Sequence, residues 1–194
     1  MNAEPRVLVF AGSTRRESCN RRLARVAAQQ LTAAGAQVTL LELADYPLPL
    51  YDGDLEATSG LPENALKLKE IFIAHEAFVV VSPEYNGSIP PLLKNCIDWV
   101  SRPLPEQSGY VPFSDKAAAL LSASPGFLGG MRGLRHLRDV LTELRMIVLP
   151  GQVSLAAADK AFDGEGGLTD EATERRLGEL LAALLEMTAR LSKS

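Results

Sequence analysis

The sequence predicts a doubly wound α/β fold, with a five-stranded parallel sheet in the order 2-1-3-4-5 and helices on both faces. Three observations predict it. Short, unbroken apolar runs such as Val7–Ala11 and Phe78–Val81 read as strands buried on both faces. These runs alternate with helical patterns, the arrangement that builds parallel βαβ units. Five such runs occur and no sixth, which favours the 2-1-3-4-5 order over the six-stranded dinucleotide order.

Each element has its own local signal. After the first strand, Leu23, Val26, Ala27 and Leu31 recur at helical spacing from Asn20 onward, and Gly35 marks a C-terminal stop. Gln37–Leu41 is the second strand and completes a βαβ unit. A loop with Pro47, Pro49 and Gly53 follows, then a helix beginning near Pro62, since proline is tolerated in a first helical turn. After the third strand at 78–81, a turn at 83–88 leads into a helix. Pro90 and Pro91 are confined to its first turn, and its apolar stripe is Leu93, Cys96, Ile97 and Val100. Ala117–Leu121 is strand four, Leu134–Leu144 a helix and Met146–Leu149 strand five. In the tail, Leu177, Leu180, Leu181, Leu184 and Leu185 give the 171–191 helix a face that packs on the sheet. No repeat or linker divides residues 1–194, so one domain is expected.

Composition removes several function classes. The chain has 194 residues, 46% hydrophobic and 23% charged, with a net charge of −4. That balance argues against bulk electrostatic binding to nucleic acid or to an anionic membrane. Cys19 and Cys96, with only His75 and His136 beside them, supply neither a disulfide framework nor a zinc site. The N-terminus lacks an apolar signal core, no run approaches a membrane span, and a soluble, reducing, cytoplasmic setting is expected. The charge is uneven, however. Residues 1–25 hold six arginines and two glutamates, whereas residues 42–70 hold seven acids and two lysines.

In the expected strand order, the loops after Ala11 and Val81 face each other at the topological switch point, where ligands bind. Both loops carry chemistry. The first runs Gly12-Ser13-Thr14-Arg15-Arg16-Glu17-Ser18-Cys19-Asn20 and matches neither a Gly-x-Gly-x-x-Gly nor a Gly-x-x-x-x-Gly-Lys pattern. It offers Ser13, Thr14, Arg15, Ser18 and Asn20 at a helix N-terminus, where free N–H groups and the macrodipole favour an anion. Hydroxyls and backbone N–H groups suit a terminal phosphate monoester. The plainer reading is a polar turn with Ser18 or Asn20 as N-cap; at the switch point, with Arg15 adjacent, phosphate binding is favoured. Arg21, Arg22 and Arg25 are expected on a solvated helix face, and Cys19 as a small loop residue.

The second loop, Ser82-Pro83-Glu84-Tyr85-Asn86-Gly87-Ser88-Ile89-Pro90-Pro91, combines a fixed proline with an Asn-Gly pair that accepts positive φ. Such a loop presents backbone donors and acceptors edge-on to a planar heterocycle such as a flavin, with Tyr85 stacking on or flanking it. Taken alone, the same residues make an ordinary tight turn. A general-acid role for Glu84 is set aside, because no second carboxylate or histidine sits at a telling spacing.

Gly12–Arg15 with Ser18 and Asn20, then Ser82–Asn86 running into Leu93-Lys94-Asn95-Cys96-Ile97-Asp98-Trp99-Val100-Ser101-Arg102, closely resembles the NADPH-dependent FMN reductase family, which includes chromate and quinone reductases. The likeness spans roughly residues 6–145; Pro91 and Cys96 depart from its pattern. The resemblance implies a flavodoxin-like fold and an FMN-dependent NAD(P)H oxidoreductase, with hydride passing from NADPH or NADH to flavin N5 and on to a small-molecule acceptor such as a quinone or chromate. It places Ser13, Thr14, Arg15, Ser18 and Asn20 around the FMN phosphate. Pro83, Glu84, Tyr85 and Asn86 would border the ring, and the turn Ser122-Ala123-Ser124 would meet its other edge. It implies a homodimer or homotetramer, with Leu93–Arg102 as a contact surface unless Trp99 packs in the core. It also makes Gly126–Arg132 a docking edge for the nicotinamide nucleotide, with Arg132 or Arg135 meeting its phosphates, or else a plain loop and solvated helix face. The rival from another class is an FMN-binding electron carrier or redox sensor without turnover. The cationic first loop and an aromatic content of 6% weigh against it.

Overall fold

The computed structural model describes residues 4–164 and 166–192. Five strands, β1 (Arg6–Ala11), β2 (Gln37–Leu41), β3 (Ala77–Val81), β4 (Ala117–Ala123) and β5 (Ile147–Leu155), form one sheet in the order β2-β1-β3-β4-β5, parallel throughout. The expected order is the observed one. β3, at the centre, is buried at all five positions, as its unbroken Ala-Phe-Val-Val-Val run requires.

The helices are α1 (Cys19–Ala33), α2 (Gly53–Ser59), α3 (Glu63–Ile73), α4 (Pro91–Val100), α5 (Met131–Glu143) and α6 (Glu171–Leu191). Strand residues alternate between two cores. Val7, Val9, Val79, Val81, Ala119 and Leu121 meet Leu23, Ala27 and Leu31 of α1 and Leu177, Leu181 and Leu184 of α6. Leu8, Phe10, Phe78, Val80 and Leu120 meet Leu68 and Phe72 of α3, Leu93 and Ile97 of α4, and Leu134 and Leu137 of α5. Phe72 anchors the second core, with its ring centroid 5.1–5.6 Å from those of Phe10, Phe78 and Phe113. Trp99 belongs to the interior as well: it is fully buried, and its Nε1–H donates to the Pro49 carbonyl at 2.8 Å.

Three elements differ from the sequence expectation. α2 forms where the sequence predicts a loop, because it buries none of its residues and so shows no apolar period; Asp52 caps it by accepting from the Asp54 N–H at 2.8 Å. β4 continues through Ser122 and Ala123, which were expected in a turn. β5 runs past Pro150 and Gly151 to Leu155. The advance from Ala118 to Leu120 on β4 is matched by Val148 to Gln152 on β5, so Pro150 sits in an irregularity of an edge strand, where proline is tolerated. Arg138 of α5 closes that irregularity, with Nη1 donating to the Leu149 carbonyl at 2.7 Å.

Two lysines cap helix C-termini from within. Lys69, 2% exposed, donates from Nζ to the Val100 carbonyl at 2.8 Å, and Lys116 donates to the Phe72 and Ile73 carbonyls at 2.6 and 3.1 Å. Burial pulls Lys116 down to about 8 from its ordinary 10.5. Between those values the folded chain binds fewer protons at Lys116 than the unfolded chain, so this residue makes stability rise with pH through that window. The difference in melting temperature between the wild type and Lys116→Met should therefore be flat below pH 8. It should then move in favour of the wild type up to pH 10.5, as thermal melts at stepped pH would record.

Candidate functional site

The parallel pairing of β1 with β3 ends at Ala11 opposite Val81, and Gly12 N–H extends it by donating to the Val81 carbonyl at 2.9 Å. The loops 12–18 and 82–90 therefore leave the sheet side by side. Gly12 packs tightly here: a Cβ there would lie 3.0 Å from Leu93 Cβ and 3.3 Å from Pro90 Cγ. A crevice opens between the two loops and the chain leaving β4. It is lined by Ser13, Arg15, Glu17, Ser18, Cys19 and Asn20 on one side, Pro83, Glu84 and Tyr85 on the second, and Ala123, Ser124 and Pro125 on the third.

The first loop is rich in unused donors. Among the described residues, the N–H groups of Ser13, Thr14, Arg15, Cys19 and Asn20 donate to no protein acceptor. Cys19 and Asn20 open α1, where the dipole adds positive potential. Ser18 is the N-cap, its Oγ accepting from the Arg21 N–H at 3.4 Å. Ser13 and Ser18 are buried in the wall, whereas Arg15 is exposed at the mouth. Thr14 does not line the crevice.

Asn20 has a different place from its neighbours. Its Nδ2 donates to the Ala123 carbonyl at 2.8 Å and its Oδ1 accepts from the Ala123 N–H at 2.9 Å, within a wall that leaves it 5% exposed. Both ends of the amide are thus committed to β4, and the side chain ties the first loop to the third wall rather than facing a ligand. The three helix arginines lie at the surface, as expected, but they are partnered. Arg21 and Arg25 pair with Glu42 at 2.9 and 3.7 Å, and the Arg22 guanidinium lies 4.3 Å from the Phe162 ring centroid. Arg15 is left as the cation of this loop that lines the crevice.

The second loop folds as a hairpin. Tyr85 N–H donates to the Ser88 carbonyl at 2.9 Å, and Ser88 N–H returns to Tyr85 at 3.0 Å. Asn86 and Gly87 bridge them at φ 52° and 77°, the two left-handed positions that such a two-residue turn demands and that an Asn-Gly pair satisfies. Tyr85 is 46% exposed, free to lie against a planar ligand, while Asn86 stands at the exposed tip and does not line the crevice. Glu84 lines it, yet its carboxylate is turned to the start of α5, where it takes up the Arg132 guanidinium. Burial pushes the Glu84 carboxyl up, but Arg132 and the N–H of Gly133 outweigh it and hold it below the usual carboxylate value. Glu84 is accordingly an anion at neutral pH and no proton donor.

On the third wall the two serines part. Ser124 lines the crevice, and its Oγ accepts from the Gly126 N–H at 3.1 Å. Ser122, still within β4, is fully buried, with its Oγ donating to Ser154 Oγ at 3.1 Å, and it does not line the crevice. Cys96, expected in a helix stripe, is buried in α4, and burial pushes its thiol up to about 12. Among the described residues no cluster of His, Cys, Asp or Glu could hold a metal, and no helix is long and apolar enough to cross a membrane.

Comparison with known proteins agrees with this geometry. The family model described as NADPH-dependent FMN reductase matches residues 5–160. An NAD(P)H-dependent FMN reductase of Pseudomonas aeruginosa is 37% identical over 193 residues, 98% of this chain and 99% of that one. An NADPH:quinone oxidoreductase of Arabidopsis thaliana is 35% identical, covering 96% of this chain and 93% of its own. Among solved structures, a flavoenzyme NAD(P)H:(acceptor) oxidoreductase of Paracoccus denitrificans superposes with a TM-score of 0.80 at 30% identity, over 96% of this chain and 98% of that one.

Because Asn20 satisfies a buried N–H and carbonyl at once, its loss leaves both without partners. Asn20→Ala should destabilise the fold by about 2–3 kcal/mol in urea unfolding. Asn20→Asp, which sets a carboxylate against the Ala123 carbonyl, should cost at least as much.

Proposed function

Since this chain belongs to the NADPH-dependent FMN reductase family, we propose that it is an FMN-dependent NAD(P)H oxidoreductase that reduces a quinone, chromate or similar small acceptor. The observation that carries this reading is the crevice itself. A loop of unused N–H donors, hydroxyls and one arginine faces a rigid hairpin across the switch point of the sheet. These residues fit FMN on their chemistry: the donor-rich loop suits a phosphate monoester, and the hairpin suits the edge of a flat heterocycle. When bound, FMN supplies a ring that takes hydride at N5 from a nicotinamide and delivers the electron pair to the acceptor.

The chain's own contribution is to bind and orient. The backbone of Ser13 and Arg15, the Ser13 and Ser18 hydroxyls and the Arg15 guanidinium hold the phosphate, and Thr14 contributes through its free backbone N–H rather than its side chain. Asn20 serves by fixing the wall those groups stand on. The backbone of Pro83 and Glu84 borders the ring, with Tyr85 flanking it and Ser124 on the far side; Asn86 forms the turn that shapes this hairpin, and Ser122 supports the far side from within. Gly87, without a side chain, leaves an approach for the second reactant. Proximity of the two reactants is then the main catalytic term, and no side chain need carry a proton.

Residues 1–194 act as one FMN-binding domain in a reducing cytoplasm, a setting supported by two cysteines that form no disulfide. A homodimer or homotetramer belongs to the same proposal, and the molecular mass in solution tests it.

Protein loaded with FMN should lose its flavin absorbance on anaerobic addition of NADPH or NADH and regain it with benzoquinone. Flavin that binds but stays oxidised under both nucleotides identifies an electron carrier or sensor instead. Arg15→Ala, which removes a charge-assisted bond worth about 1.5–3 kcal/mol, should raise the FMN dissociation constant at least tenfold; an unchanged value contradicts the phosphate assignment.

A further inference from the structure

Glu84 stands at the crevice, yet its side chain is only 8% exposed and its polar contacts all go to one helix end. Oε2 accepts from the Arg132 N–H at 2.9 Å and the Gly133 N–H at 3.1 Å, and Oε1 accepts from Arg132 Nε at 2.8 Å and Nη2 at 2.5 Å. The helix that receives this carboxylate has no cap of its own. The residue before α5 is Gly130, at φ 91°, which offers no side chain to the free N–H groups of the first turn. Glu84 provides the capping carboxylate from a loop 48 residues earlier, where the helix dipole favours it.

Packing between the two segments leaves little slack. A Cβ on Gly133 would lie 3.1 Å from the Ser88 carbonyl oxygen and 3.4 Å from Glu84 Cβ. One turn along α5, His136 Nδ1 lies 2.9 Å from Ser88 Oγ. The hairpin is therefore held on both sides of its Asn86-Gly87 tip, at Glu84 and at Ser88, by the same helix. Arg132 spends Nε and Nη2 on Glu84, a forked geometry that a lysine ammonium does not reproduce.

We propose that Glu84 and Arg132 form a positioning clasp, which docks the 83–88 hairpin on α5 and so sets the backbone that borders the flavin. Neither residue needs to touch the cofactor to do this. Arg132 accordingly serves the ring loop, a role different from the nucleotide-phosphate contact that the family resemblance offers for Arg132 or Arg135. A loop ordered before binding loses less freedom when the ligand arrives, which is where the affinity gain arises. The inference rests on the FMN reading of the crevice.

The test compares Arg132→Ala, Arg132→Lys and Glu84→Gln with the wild type in two states. In FMN-free protein, amide hydrogen exchange should quicken across 83–88 in Arg132→Ala and Glu84→Gln while α1 and α6 keep wild-type protection. In FMN-loaded protein, the same two variants should bind FMN about tenfold more weakly, the factor of roughly one lost charge-assisted bond, and should shift the flavin midpoint potential. Arg132→Lys, which retains the charge without the fork, should fall between them and the wild type. Exchange, affinity and potential all unchanged in Arg132→Ala overturn the clasp. So does weakened FMN binding in Glu84→Gln but not in Arg132→Ala, since that pattern means Glu84 meets the cofactor directly. A wild type that binds no FMN overturns the cofactor reading, and the role toward the ring falls with it even if exchange responds.

Discussion

The structure depends first on the pairing of β1 with β3. Once Ala11 stands opposite Val81 and Gly12 carries the ladder one bond further, two loops distant in sequence leave the sheet at the same place. Everything at the crevice follows from that juxtaposition. In the order β2-β1-β3-β4-β5 the winding across the sheet reverses between β1 and β3, so helices α1 and α4 depart to opposite faces and leave a gap between their N-terminal ends. Gly12 lets the first loop lie close against α4, because a Cβ there would press on Leu93 and Pro90.

Two polar struts turn this gap into a shaped site. Asn20 spans 103 residues to both backbone groups of Ala123, and Glu84 spans 48 to the first turn of α5. Both side chains are largely buried; removing Asn20 leaves a buried N–H and carbonyl unsatisfied, whereas removing Glu84 frees the exposed Arg132 and the first turn of α5. The walls that face the ligand are therefore held from behind. The ligand-facing donors of the first loop stay unpaired within the protein, and stay available, because neighbouring side chains do the holding.

Much of this was legible in the sequence, and for a physical reason. Strands buried on both faces, such as Ala77–Val81, announce themselves as unbroken apolar runs, and α6 announces itself through its leucine spacing. The Asn86-Gly87 turn was visible because few other pairs accept two positive φ angles. What escaped has no local signature. α2 buries nothing, and the extension of β5 through Pro150 depends on an edge position and on Arg138, elements set by the tertiary fold. Asn20 and Glu84 were found as site residues, but a sequence does not say whether a polar side chain faces a ligand or the protein's own backbone. Likewise the spacing of Arg21, Arg22 and Arg25 shows a surface face but not its partners, Glu42 and Phe162.

The central claim is that the first loop binds a phosphate and the second borders a ring. It is tested most directly by following backbone amide resonances while titrating FMN and, separately, riboflavin, which lacks the phosphate. Amides of Ser13, Thr14 and Arg15 should shift with FMN and not with riboflavin, whereas those of Glu84 to Gly87 should shift with both. Phosphate-dependent shifts at another helix N-terminus, with residues 13–20 unmoved, would contradict the account.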